Sequence, residues 1–91
     1  MDVRVSDKVL KKLKKTPKHI GTKLLAWANL VRSQGLRNTQ LIKGFHYEPL
    51  KGTKSGRRSI RLSKKWRAEY TVNSDGIIEF ILVEEVHPHE Y

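Results

Sequence analysis

The last third of the chain constrains the fold most. Three strand-like segments, Arg57–Leu62, Trp66–Val72 and Ile77–Val86, are separated by two turn signals. Asn73-Ser74-Asp75-Gly76 is the stronger turn, because glycine supplies the positive φ a tight hairpin requires. Ser63-Lys64-Lys65 is the other. Connections this short join antiparallel neighbours, so the segments predict a three-stranded meander.

Alternation then fixes a register. Arg58, Ile60 and Leu62 share one face of the first segment, with Arg57, Ser59 and Arg61 on the other. In the second, Trp66, Ala68, Tyr70 and Val72 oppose Arg67, Glu69 and Thr71. Joining the apolar faces places Leu62 opposite Trp66, and a one-residue slip would drive Arg61 into the core. The predicted register sets Arg61 opposite Arg67 and Ser59 opposite Glu69. Like charges directly across a strand pair repel, so something must offset them. Two readings stay open: the Glu69 carboxylate, or a bound phosphate. No acid occurs between Glu48 and Glu69, while Lys51, Lys54, Arg57, Arg58, Lys64 and Lys65 all fall there.

The third segment is apolar on both faces, which predicts an interior strand. It delivers His87-Pro88-His89-Glu90-Tyr91. Two histidines at i, i+2 lack a third clear ligand, so no metal is expected. An acid/base pair is the alternative to a frayed tail, since histidine titrates near neutrality and tyrosine donates or accepts through its hydroxyl.

The N-terminal half reads as a short strand around Val3 and Val5 followed by two helices. Ser6 caps the first, over residues 7–15, with Val9, Leu10 and Leu13 as its apolar positions and five lysines taking the outside. Thr16 as N-cap and Pro17 at the first helical position start the second. It runs to about Gln34 along an Ile20, Leu24, Trp27, Val31 stripe and stops at Gly35. Gly21 weakens it slightly. Residues 36–56 carry little periodicity and are expected as an irregular connection anchored by Leu41, Ile42, Phe45 and Leu50. The sum is an α+β domain spanning 1–91, with the helices on one face of the meander.

Charge points to the partner. The chain carries 19 Lys and Arg against 9 Asp and Glu, a net charge of +10. All the cations precede the last hairpin turn, and such a basic body implies a polyanion, nucleic acid first. The lysines of the first helix are either a grip on RNA or a solvated face. Without cysteine, disulfides and thiolate chemistry are excluded. No apolar run approaches a membrane span, and no secretory h-region is visible, so a soluble cytoplasmic protein is expected.

The run Glu48-Pro49-Leu50-Lys51-Gly52, then Gly56-Arg57-Arg58-Ser59-Ile60-Arg61-Leu62-Ser63-Lys64-Lys65-Trp66-Arg67-Ala68-Glu69-Tyr70, then a terminal His-Glu-Tyr, resembles toxins of bacterial toxin–antitoxin modules. The likeness is to the RelE/YoeB/HigB branch of the RelE/ParE superfamily, and it covers nearly the whole chain. It implies a ribosome-dependent endoribonuclease cutting mRNA in the 30S A site, without cofactor or metal. The RNA 2′-OH attacks the adjacent phosphate, leaving a 2′,3′-cyclic phosphate. That chemistry needs a base, cations for the phosphorane and an acid for the leaving oxygen.

By that resemblance Glu48 is the base. HigB-like members carry histidine there, and His46 lies two residues upstream. Arg61 matches the arginine of the first meander strand, and Arg67 that of the Trp-Arg pair. Lys51 matches the lysine after Pro-Leu, with Lys54 and Arg58 as looser phosphate grips. Tyr91 matches the terminal tyrosine and His89 the acid. Glu90 interrupts the His-Tyr order of YoeB-like tails, which leaves His87, His89 and Glu90 as alternative acids. The resemblance also implies a cognate antitoxin. Two other functions fit the sequence: a ParE-like inhibitor of DNA gyrase, and a nucleic-acid-binding module without catalysis.

Overall fold

The computed structural model describes residues 2–49 and 56–86. In chain order these form β1 (Val3–Val5), α1 (Asp7–Lys14), α2 (Lys18–Gln34) and α3 (Leu36–Gln40). A 3₁₀ turn (Lys43–Phe45) follows, then β2 (Glu48–Pro49), β3 (Arg58–Arg61), β4 (Trp66–Val72) and β5 (Ile78–Glu85). The expected α+β arrangement is present: an N-terminal strand, a helical pair and an antiparallel meander. The sheet has five strands in the order β1-β5-β4-β3-β2. β1 joins β5 in parallel, and the other pairs are antiparallel.

Local chemistry sets the helix ends. The Ser6 hydroxyl accepts from the Val9 amide at 3.3 Å and caps α1. Thr16 does not cap α2 as expected. Its hydroxyl instead donates at 2.8 Å to the Lys12 carbonyl at the end of α1, which also accepts from the Lys15 amide at 3.0 Å. Pro17 takes the N-cap position of α2 with an extended ψ of 140°, and no side chain caps that helix. Gly35 closes α2 at φ 87°, where its amide donates to the Val31 carbonyl at 2.8 Å.

The core lies between α2 and one face of the sheet. Ile20, Leu24, Trp27 and Val31 are all buried, as their spacing predicts. The Trp27 ring meets Tyr70 at 5.0 Å and Phe80 edge-on at 5.3 Å. Contacts of this kind contribute about 0.5–1.5 kcal/mol each beyond their buried area. Ile60, Ala68, Tyr70, Ile78 and Phe80 supply the sheet side.

The stretch after Gly35 is more regular than its sequence suggests. It holds α3, the 3₁₀ turn and β2, with Thr39 and Phe45 buried. Each piece is shorter than the window in which periodicity can be read. Leu41, expected as an anchor, is 75% exposed. Leu50 lies outside the described residues.

The predicted meander register is the observed one. Arg61 pairs with Arg67 and Ser59 with Glu69. The Leu62 amide donates to the Trp66 carbonyl at 2.8 Å across the first turn. In the second turn, the Asn73 side-chain oxygen accepts from the Asp75 and Ile77 amides, and Gly76 sits at φ 79°. The unanticipated feature is a bulge. Glu69 pairs with Leu82 but Tyr70 with Phe80, so Ile81 is extra. The inserted residue switches which side chains point inward: Ile78 and Phe80 before it, Val83 after it, are buried.

Candidate phosphate-binding cleft

Register partners share a face, so two cross-sheet rows can be followed away from the helices. One runs Glu48, Ser59, Glu69, Leu82; the next runs Arg61, Arg67, Glu84. The bulge at Ile81 is what brings Glu84 onto this face. Strict alternation from Phe80 would send it toward the core.

These rows floor a cleft of about 460 Å³ bounded by His46, Tyr47, Glu48, Ser59, Arg61, Arg67 and Val86. Glu48 is exposed at its rim. It is diagonal to Arg61, because its direct partner is Ser59. Diagonal neighbours lie roughly 7–8 Å apart, within reach of long side chains. A carboxylate and a guanidinium therefore both line this one cleft.

Four charges on this face form a chain. Arg67 donates from Nε to the Glu84 carboxylate at 2.6 Å, and its Nη2 lies 3.7 Å from Glu69. The other Glu69 oxygen is 3.0 Å from Arg57. Glu69 is 6% exposed, the most deeply buried charge in the described chain. The Arg61–Arg67 repulsion is thus met internally by two carboxylates. Glu69 was foreseeable as the residue opposite Ser59. Glu84 was not, because the bulge that brings it here leaves no trace in an apolar run.

Other site candidates separate. Arg58 lies in the row of Pro49, Tyr70 and Phe80, on the helix side, where its charge acts on the Tyr70 hydroxyl. It does not join the cleft. Lys51, Lys54, His89 and Tyr91 lie outside the described residues. Val86, the last described residue before the tail, is buried in the cleft wall. Its amide donates to the Lys65 carbonyl at 2.6 Å.

His46 and Tyr47 line the cleft. His46 is the only non-glycine with positive φ among the described residues, at 45°. A left-handed conformation costs an ordinary side chain about 1–2 kcal/mol. Here it turns the chain from the 3₁₀ turn into β2 and so aims Glu48. Among the described residues, no three His, Asp or Glu side chains gather as metal ligands. No described helix is long and apolar enough to cross a membrane.

A helical pair against a sheet in which the first strand runs parallel to the last is a fold shared with RelE/YoeB-like toxins. Among solved structures the chain is similar to three of that kind. In the YoeB–YefM complex from Staphylococcus aureus, identity is 20% and the TM-score 0.68, covering 96% of this chain and 98% of that one. The Escherichia coli DinJ–YafQ complex gives 23% and 0.67, covering 92% and 91%. The YoeB/ParE toxin from Agrobacterium tumefaciens gives 22% and 0.64, covering 96% and 100%. At these identities the likeness establishes the fold. Searches against family models and against curated protein sequences find no match.

Proposed function

We propose that this chain, as one domain over residues 1–91, is the toxin of a bacterial toxin–antitoxin pair. It cleaves mRNA in the ribosomal A site as a metal-independent endoribonuclease. The observation that carries the reading is Glu48 and Arg61 set diagonally across one cleft, with Arg67 beside them. Glu48 takes the proton of the 2′-OH. Arg61 stabilises the phosphorane through its planar fork. Arg67, already bound to Glu84, adds positive field and keeps its place. His89, with Tyr91, protonates the leaving 5′-oxygen, and Lys51 and Lys54 hold the flanking backbone. The atoms balance without water: the 2′-oxygen bonds to phosphorus, the P–O5′ bond breaks, and the proton passes from base to acid.

The fold likeness to YoeB and YafQ supports this class of target, and a ribosomal substrate places the protein in the cytoplasm. The YoeB–YefM and DinJ–YafQ complexes support a dedicated antitoxin as partner. The test is purified protein added to ribosomes programmed with a defined mRNA, with RNA 5′ ends mapped. Cleavage within the A-site codon is expected. Arg61→Ala and Glu48→Gln should each lower the rate about 100-fold or more, in the range for losing a transition-state contact or a general base. Intact mRNA under these conditions overturns the proposal. Inhibition of gyrase supercoiling in its place would assign the ParE-like function.

A further inference from the structure

β1 covers β5 only from Ile78 to Phe80. The Ser6 amide donates to the Phe80 carbonyl at 3.2 Å as the chain turns away into α1. Beyond that point β5 continues to Glu85 with β4 on one side and, among the described residues, no strand on the other. Between this open edge and α1 lies a second cleft, of about 510 Å³. Lys8, Lys11, Lys12 and Lys15 form its helix wall, and residues 81–84 its strand wall. Spacings of three and four residues put all four lysines on one stripe. Lys12 holds its ammonium 5.9 Å from the Trp66 ring centroid.

The macrodipole favours Lys11 and Lys12 in the last turn of α1, but the stripe as a whole is strained. Like charges three and four residues apart destabilise the helix, and Lys8 sits at the end where the macrodipole disfavours a cation. The strand wall has its own unmet requirement. The Val86 amide bonds toward β4, so alternation turns the backbone groups of Glu84 and Leu82 the same way. Those of Val83 and Glu85 therefore face the open side. They offer both N–H donors and C=O acceptors. Phosphate oxygens only accept, so phosphates alone would leave the carbonyls unanswered, and the Glu84 carboxylate is already taken by Arg67 on the other face. An extended peptide answers both kinds of group.

We infer that this cleft receives an acidic, extended segment of a partner protein. The segment adds as a strand along residues 81–85 and sets its carboxylates against the four lysines. Assigning the segment to the antitoxin rests on the proposed function; the binding itself does not.

The test uses the full chain and a fluorescein-labelled heptapeptide of alternating glutamate and valine, read by anisotropy. Saturable binding is expected. Replacing all four lysines by glutamine (Lys8→Gln, Lys11→Gln, Lys12→Gln and Lys15→Gln) should weaken it about tenfold or more. N-methylating the peptide's amides should weaken it as much, because the strand hydrogen bonds are lost. Arg61→Ala should leave it unchanged, which separates this edge from the cleavage site. The assay contains no ribosome, so a failure to cut mRNA does not bear on it. No binding, or equal binding of the N-methylated peptide or of an oligouridylate of matched charge, overturns the inference. The latter two outcomes would show only generic attraction of polyanions.

Discussion

Arg61 and Arg67 face each other as register partners across β3 and β4, and Arg67 turns its guanidinium onto Glu84 of the next strand. The carboxylate holds one cation of the pair in place while the two strands stay in register. Glu84→Gln should cost only about 0.5–1 kcal/mol, because both side chains of the pair are over a third exposed to water or nearly so. It should also slow mRNA cleavage by releasing Arg67. Glu84→Asp should recover part of that rate. Urea denaturation and single-turnover cleavage, measured on the same variants, check both effects.

Glu69 is the more sensitive position. It is buried and ion-paired to Arg57 on one side and near Arg67 on the other. Glu69→Gln should destabilise by about 1–3 kcal/mol, below the full cost of breaking a buried pair because both arginines are partly solvated. A double-mutant cycle with Arg57→Gln should show coupling of about 0.5 kcal/mol or more. Additive effects would mean that the two groups are near each other without interacting.

His46 combines a backbone cost with a place on the cleft rim. His46→Gly should raise stability by up to about 1 kcal/mol, since glycine adopts positive φ freely. Cleavage should fall at the same time, because a looser turn aims Glu48 less well. Thermal melts and cleavage rates moving in opposite directions would bear this out, and parallel movement would count against it.

Burial, and then the neighbouring Tyr47, raise the pKa of Tyr70 above the ordinary 10.0 against the opposing pull of Gln40 and the Arg58 guanidinium. The folded state therefore keeps this proton where the unfolded chain has lost it. The resulting stability is complete below pH of about 10 and is lost as pH rises toward the folded-state value. Tyr70→Phe removes the titration. It should change stability at neutral pH by less than about 1 kcal/mol, because no well-formed hydrogen bond reaches the hydroxyl. Denaturation followed from pH 8 to 11 in both proteins gives the comparison.

Gly21 early in α2 has open space where a Cβ would point. Gly21→Ala should stabilise by about 0.5–1 kcal/mol through helix propensity and the unfolded chain's entropy. A thermal melt is sufficient to test it.

What could be read from residues alone divides along physical lines. The β3–β4 register was legible because each strand has one apolar and one charged face, so a slip is costly at every position. The stripe of α2 was legible because four turns repeat it. β5 was legible as an interior strand but not in its phase, since side chains apolar on both faces make either alternation acceptable. That ambiguity hid the bulge and, with it, Glu84. β2 and α3 were hidden by brevity, as two and five residues carry no period. The Thr16 hydroxyl could accept from an α2 amide or donate to an α1 carbonyl, and the end of α1 won. Glu48, Arg61 and Arg67 were legible as cleft residues; Arg58 carried the same charge but the opposite parity.

Ile81 acts as a single-residue phase shifter. Upstream of it the strand keeps step with β1 and the aromatic core; downstream it keeps step with the arginines. Deleting that one residue would not merely shorten the strand. It would exchange the sides on which Val83 and Glu84 emerge, turning a carboxylate toward Trp27's neighbours and a valine toward Arg67, and so erase the polar face while leaving the composition almost untouched.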